Sequence, residues 1–143
     1  MIHLGADHAG YTLKEHLKKY LFKKGYTITD HGAAKIIKND DYPDYAGKVA
    51  RAVQKNGRGI LVCGSAEGIC IAANKYKHIR AVPVWTIENA KLSRQHNNAN
   101  ILCLSGWQLS PKKAEHITLT WLSTPFSKEE RHVRRINKIE RLP

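Results

Sequence analysis

The sequence has no long apolar run. No stretch approaches the ~20 residues needed to cross a bilayer as a helix, so no membrane-spanning helix is expected. The opening Met1-Ile2-His3-Leu4-Gly5 has no basic segment leading into an apolar one, so it is not expected to act as a secretory leader, and a cytoplasmic location is expected instead. Cysteine is sparse and odd in number: Cys63, Cys70 and Cys103. That count argues against a disulfide framework. No Cys-x-x-Cys pair occurs, and the spacing of Cys63 and Cys70 is not zinc-like, so no metal is expected. Two of the three cysteines are expected to be small buried hydrophobes. Repeats, low-complexity segments and linkers are also missing, so residues 1–143 read as one domain. Acidic side chains are scarce, 12 against 24 Lys and Arg, for a formal net charge of +12. Such a balance suggests an anionic partner, either nucleic acid or a small phosphorylated molecule. The basic residues are spread along the chain, which fits a solvated basic surface equally well.

What the chain does contain is an alternation of short apolar runs with helical periods. Ile2–Gly5 reads as a strand, and Leu13, Leu17, Tyr20 and Leu21 recur at helical spacing with Gly25 as a stop. Tyr26–Thr29 reads as a second strand. Tyr42-Pro43 opens a helix that runs through Ala46, Val49, Ala50 and Val53 and closes at Gly57. Gly59–Cys63 is a continuous apolar run, as a strand buried on both faces should be. After a glycine-containing loop come a helix through Ile71-Ala72-Ala73, a strand over Ala81–Trp85, a helix over 87–96 and a strand over Ile101–Leu104. Ser110-Pro111 starts a helix running to about Leu122. Ser127 and Glu130 have the spacing of a capping box for a last helix. This order predicts an α/β fold of three layers, Rossmann-like, with five parallel strands between two helical layers. Ligands of such sheets lie beyond the carboxyl ends of the strands, which directs attention to the segments after strands one, three, and four or five.

Four segments could carry chemistry. Asp7-His8 follows the first strand and could bind a polyol or phosphate, though Asp7 could equally cap the next helix. Cys63-Gly64-Ser65-Ala66-Glu67-Gly68 follows the third strand and opens a helix. Backbone N–H groups there could hold an anion, and the same position is expected to lower the pKa of the Cys63 thiol. The plainer alternative is a tight turn with a buried cysteine. The loop lacks the Gly-Lys-Ser/Thr ending of a nucleoside-triphosphate loop. His96-Asn97 closes a helix and could supply a general acid and an amide, or merely a cap. Arg131, Arg134 and Arg135 share one face of the last helix, suited to phosphate or simply solvated.

Taken in order, Asp7-His8, Asp41-Tyr42-Pro43, the Cys63-Gly64-Ser65 loop running into Ile71-Ala72-Ala73-Asn74-Lys75, Leu92-Ser93-Arg94-Gln95-His96-Asn97, and Arg131-His132-x-x-Arg135 form a series that resembles the ribose-5-phosphate isomerase B and galactose-6-phosphate isomerase family over nearly the whole chain. The resemblance implies an aldose–ketose isomerase that needs no cofactor and acts on a small phosphorylated sugar, with ribose 5-phosphate and ribulose 5-phosphate as the leading pair. It implies that Cys63 is the base, that amides from Gly64 to Gly68 hold the enediolate, that Ser65 assists proton transfer and that His96 opens the furanose ring. Asp7, His8, Tyr42 and Asn97 would contact the sugar, and Arg131 and Arg135 the phosphate. It also implies a homodimer, with pairing into tetramers left open, in which the last helix reaches a partner's site. Three residues depart from the family pattern. Ala66 replaces a glycine and is expected to stiffen the loop or to deny it a positive φ; Glu67 puts a carboxylate beside the cradle; Trp107 replaces an arginine that also contacts phosphate. The alternatives are an isomerase of another sugar phosphate, such as a hexose 6-phosphate, or a family member that binds sugar phosphate or nucleic acid without turnover.

Overall fold

The computed structural model describes residues 1–142. Five strands, β1 (Ile2–Ala6), β2 (Ile28–Asp30), β3 (Arg58–Cys63), β4 (Ala81–Pro83) and β5 (Ile101–Ser105), form one sheet in the order β2-β1-β3-β5-β4 with every pairing parallel. The helices are α1 (Tyr11–Lys23), α2 (Tyr42–Lys55), α3 (Glu67–Ala73), α4 (Ile87–Asn97), α5 (Pro111–Ser123) and α6 (Glu130–Ile139). Alternate strand residues point to opposite faces. Leu4, Ala6, Ile60, Val62, Leu102 and Leu104 pack with Leu13, Leu17, Ala90, Ile117 and Trp121 of α1, α4 and α5. Leu61, Cys63, Ile101 and Cys103 pack with Ala46, Val49, Ala50, Ile69 and Ala73 of α2 and α3. This is the expected three-layer arrangement.

The ends of elements follow local chemistry. Ser110 accepts from the Lys113 N–H at 3.3 Å with Pro111 in the first turn, and Thr86 caps α4 by accepting from Asn89 N–H at 3.1 Å. Gly25 and Gly57 take positive φ, as chain stops after α1 and α2 require. Two strands differ from their expected spans. β2 is Ile28–Asp30 rather than 26–29, because Tyr26 N–H still bonds back to Leu21 O. β4 ends at Pro83 rather than at Trp85: Val84 N–H still donates to Cys103 O at 3.1 Å, and Thr86 then caps α4. Lys14 is an unexpected member of the buried face of α1. Its side chain is fully buried, and Nζ donates to Asp30 at 2.9 Å and to Ala33 O at 2.7 Å, which satisfies a charge that could not otherwise be buried. The Ser127–Glu130 capping box does not form. Glu129 is the N-cap of α6 without a side-chain bond, and Ser127 Oγ pairs instead with His132 Nδ1 at 2.9 Å.

Chain direction reverses beside β1. The path β1–α1–β2 moves outward, and β2–α2–β3 returns past β1 to its other side. The carboxyl ends of β1 and β3 therefore flank a crevice at the switch point. No helix of the described residues is long and apolar enough to cross a membrane.

Candidate active site

Asp7 and His8 follow β1, and Cys63 ends β3. Ala6 pairs with Val62, so Asp7 and Cys63 are neighbours across the crevice at about the interstrand spacing of ~5 Å. Cys63 is buried, and the backbone N–H groups of Ile69, Ala66 and Ser65 act on its sulfur. Burial nonetheless dominates: it pushes the thiol above its ordinary range, the amides pull it back, and Asp7 adds to the rise. The expectation of a lowered thiol pKa is thus corrected. The amides are present, but removing water from the sulfur costs more than they return. Asp7 is buried too; burial raises its carboxyl although Gly10 N–H donates to Oδ1 at 3.0 Å. That bond closes a turn ahead of α1, whose N-cap is Gly10, so Asp7 is not the helix cap.

The cradle after β3 is held from behind. Gly106 N–H donates to Cys63 O at 2.8 Å, Trp107 N–H to Gly64 O at 3.2 Å, and the buried Ser105 hydroxyl to Gly64 O at 2.6 Å. With these carbonyls tied to the turn after β5, the N–H groups of Ser65 and Ala66 are turned toward the Cys63 sulfur. Two rings flank it. A Cβ on Gly64 would lie 2.5 Å from the Trp107 ring, and one on Gly68 2.6 Å from the Tyr42 ring, so a larger residue at either position would force that ring to shift. Trp107 is 74 % exposed and Tyr42 39 %, rings open to a ligand on their outer faces. Ala66 is buried with φ +73°. It therefore takes the left-handed conformation that its identity was expected to deny, at a steric cost of ~1–2 kcal/mol. Glu67 is exposed, and its N–H approaches Ser65 Oγ at 3.4 Å.

Two residues of this crevice escaped the sequence reading. Asp40 accepts both the backbone N–H of His8 (2.8 Å) and its ring Nδ1 (2.7 Å) on Oδ1, and the Tyr45 hydroxyl (2.8 Å) on Oδ2. Burial alone would raise the Asp40 carboxyl, but His8 and Tyr45 hold it below the ordinary carboxylate range. The reciprocal bond to Asp40 raises His8, and Tyr45 is pushed up to about 12 by burial and by Asp40. The only sequence signal was a run of acids before Tyr42-Pro43.

His96, Asn97, Arg131 and Arg135 are elsewhere. α4 begins beyond the carboxyl end of β4 and runs back, so His96 and Asn97 precede the start of β5. Asn100 O accepts from Gly59 N–H there, whereas Cys63 pairs with Ser105 at the other end. Four strand positions separate those levels, about 13 Å at ~3.3 Å per residue. At this far end the residues form a unit of their own. The His96 and His132 rings pack with centroids 4.3 Å apart, Ser127 N–H donates to Gln95 O at 3.1 Å, and Glu140 at the end of α6 pairs with Arg80 and His78. Buried Arg94 locks the end of α4 by donating to Asn98 Oδ1 at 2.9 Å, Ala99 O at 2.6 Å and Thr124 O at 3.3 Å; burial, with Arg58 and Arg80, lowers its pKa to about 10. Among the described residues Arg131 bonds to Glu129 alone, at 2.9 Å, with its side chain 57 % exposed, and Arg135 is exposed. One chain thus carries two clusters at opposite ends of its sheet: Cys63, the loop after it and Asp7-His8 at one, His96, His132 and the α6 arginines at the other.

The family model described as Ribose/Galactose Isomerase matches residues 2–139. The chain belongs to that family. A probable ribose-5-phosphate isomerase B of Mycoplasma genitalium is 42 % identical over 143 residues, covering 98 % of this chain and 93 % of the relative. The crystal structure of a ribose 5-phosphate isomerase from Thermotoga maritima superposes with TM-score 0.94 at 45 % identity, over 99 % of this chain and 97 % of that one. The Mycoplasma genitalium enzyme, solved with bound ribulose-5-phosphate, superposes with TM-score 0.94 at 41 % identity, over 98 % and 93 %. Within the ribose/galactose isomerase family the chain is an isomerase of the ribose-5-phosphate isomerase B type.

Proposed function

We propose that this enzyme interconverts ribose 5-phosphate and ribulose 5-phosphate through an enediolate, with Cys63 as the base. The observation that carries the reading is the buried thiol at the β1–β3 crevice, with three backbone amides acting on it and Asp7 beside it. Cys63, as thiolate, takes the proton on C2 of the open-chain aldose. The electron pair moves to form C1=C2 while the carbonyl pair goes to O1. The amides of the 64–68 loop face the charge that develops there, where preorganised donors act most strongly. Ser65 passes a proton between O2 and O1, and Cys63 returns its proton to C1, leaving the ketose. Electrons are only redistributed within the sugar, so the chemistry calls for no redox cofactor. Asp7, His8, Tyr42 and Trp107 line the sugar.

The ring-opening acid and the phosphate ligands come, in this reading, from a second copy of the chain. His96, Asn97, Arg131 and Arg135 are gathered at the far end of the sheet, too distant from the thiol of their own chain. A two-fold dimer would set each such unit against its partner's crevice and build two equal sites. Three unpaired cysteines fit a cytoplasmic enzyme. The test is an isomerase assay over aldose phosphates of four, five and six carbons. The highest kcat/KM is expected for ribose 5-phosphate. A better hexose or tetrose substrate would sink the assignment of the sugar, and inactivity on all would sink the reaction.

A further inference from the structure

His8 is held twice by one carboxylate oxygen. Its backbone N–H and its ring Nδ1 both meet Asp40 Oδ1, at 2.8 and 2.7 Å, although Asp40 lies 32 residues further along the chain. Two bonds from one residue to one oxygen fix both the backbone and the ring. Asp40 is itself fixed: its side chain is 8 % exposed, its other oxygen is taken by Tyr45 of α2, and its N–H bonds to Ile37 O at 3.2 Å. With Nδ1 committed, Nε2 is the nitrogen left to a side chain that remains 38 % exposed at the crevice.

We propose that Asp40 is a positioning residue of this active site, clamping His8 so that the protonated ring turns Nε2–H toward a negatively charged oxygen of the sugar phosphate. The inference rests on the function proposed above and adds a residue to it. The chemistry is that of a carboxylate-supported imidazolium. With Nδ1–H given to Asp40, a neutral ring would offer Nε2 only as an acceptor, whereas the cation offers it as a donor. An imidazolium next to a carboxylate keeps its proton to higher pH. The charged groups that bear on His8 are Asp40 from the β2–α2 loop and Asp7 from its own loop, both favouring the cation. Behind Asp40 are Tyr45, with Asp44 acting on it and Lys48 Nζ 5.4 Å from its ring centroid. Trp107, the ring against Gly64, carries no charge, so a charge on His8 counts for more at this end of the sheet.

The test compares the full-length wild type with Asp40→Asn and Asp40→Glu, each first checked for its melting temperature. The His8 ring is titrated by NMR in the free protein, and KM and kcat for ribose 5-phosphate are measured from pH 6 to 9. In Asp40→Asn the His8 midpoint should fall and KM at pH 7.5 should rise roughly ten-fold, the scale of one charge-assisted bond weakened to a neutral one, while kcat changes far less. The KM increase should shrink toward low pH, where His8 is protonated without help. Asp40→Glu keeps the charge and should restore part of the midpoint shift even if Asp40→Asn folds poorly. An unchanged His8 midpoint, or an unchanged KM with a shifted midpoint, overturns the proposal. Should the wild type not isomerise the sugar at all, the functional reading fails separately. Ribose 5-phosphate is then titrated against the His8 signals; a response in wild type that is lost in Asp40→Asn supports the clamp, and equal responses overturn it.

Discussion

Separation of Cys63 from His96 along the sheet leads to a quantitative complementation experiment on the proposed shared site. Cys63 lies at the level of Ser105 and His96 before the level of Ile101, so the strand rise of ~3.3 Å per residue puts about 13 Å between them within one chain. If Cys63 is the base and His96 the ring-opening acid, as proposed, groups that far apart cannot serve one pentose. One chain is made Cys63→Ala and the other carries His96→Asn together with Arg131→Ala and Arg135→Ala. Each homodimer is then inactive, because both of its sites carry a lesion. After mixing in equal amounts and full exchange, half of the dimers are mixed. If base and acid come from different chains, each mixed dimer has one wholly intact site and one carrying every lesion, so about a quarter of wild-type activity returns for a two-fold dimer. If both come from the same chain, each site of the mixed dimer keeps a lesion and nothing returns. Activity is followed with ribose 5-phosphate, and exchange is checked by native mass spectrometry on chains of different mass. Absence of recovery with exchange demonstrated would refute the shared site.

Four further outcomes follow from single groups. Cys63→Ala should lower kcat ~10²–10⁴-fold, the usual worth of a positioned proton-transfer group, with the melting temperature little changed; because burial raises the thiol, site-resolved alkylation of Cys63 should rise with pH at a midpoint above the ~8.5 of a free cysteine, and a midpoint below it would contradict the dominance of burial. His96→Asn should slow the cyclic sugar far more than an open-chain substrate, and equal losses would remove its ring-opening role. Arg131→Ala or Arg135→Ala should raise KM roughly ten- to a hundred-fold, since a hydrogen bond to a charged group contributes ~1.5–3 kcal/mol and ~1.4 kcal/mol is one decade; an unchanged KM would take phosphate away from α6. Asp30→Asn leaves buried Lys14 with only Glu15 as counter-ion and should cost about 3 kcal/mol, read as a lower urea midpoint. The Asp30 carboxyl is lowered by Lys14 and Lys18 against the upward push of burial, so its contribution is present above its unfolded pKa of ~3.9 and is lost as pH falls through the lower folded value; the gap between wild type and variant should therefore close in acid.

Much of the fold was legible because its signals are local. The apolar run Gly59–Cys63 read as a strand covered on both faces, Ser110-Pro111 and Tyr42-Pro43 open helices by their own backbone chemistry, and Gly25 and Gly57 take the conformations expected of them. Alternation of strands and helices then implied a parallel sheet, and the local pattern placed Asp7-His8 and the Cys63 loop after the carboxyl ends of β1 and β3, where the structure has them. Signals that depend on balance were misread. Helix-start amides near Cys63 argued for a lowered thiol, but only the packed structure weighs burial against them. Ala66 argued against a positive φ, but in the packed loop it is buried with φ +73°. Asp40 and Ser105 gave no usable signal, since each acts on a partner 32 or 41 residues away.

The sequence by itself determined the elements, their alternation and the set of chemically able side chains, because hydrophobic period, capping and glycine or proline conformations act within a few residues. Only the tertiary structure decided which of those side chains meet. A helix returning between parallel strands carries its last residues to the opposite end of the sheet, and this topology divides Cys63 from His96 although both belong to the same list of motifs.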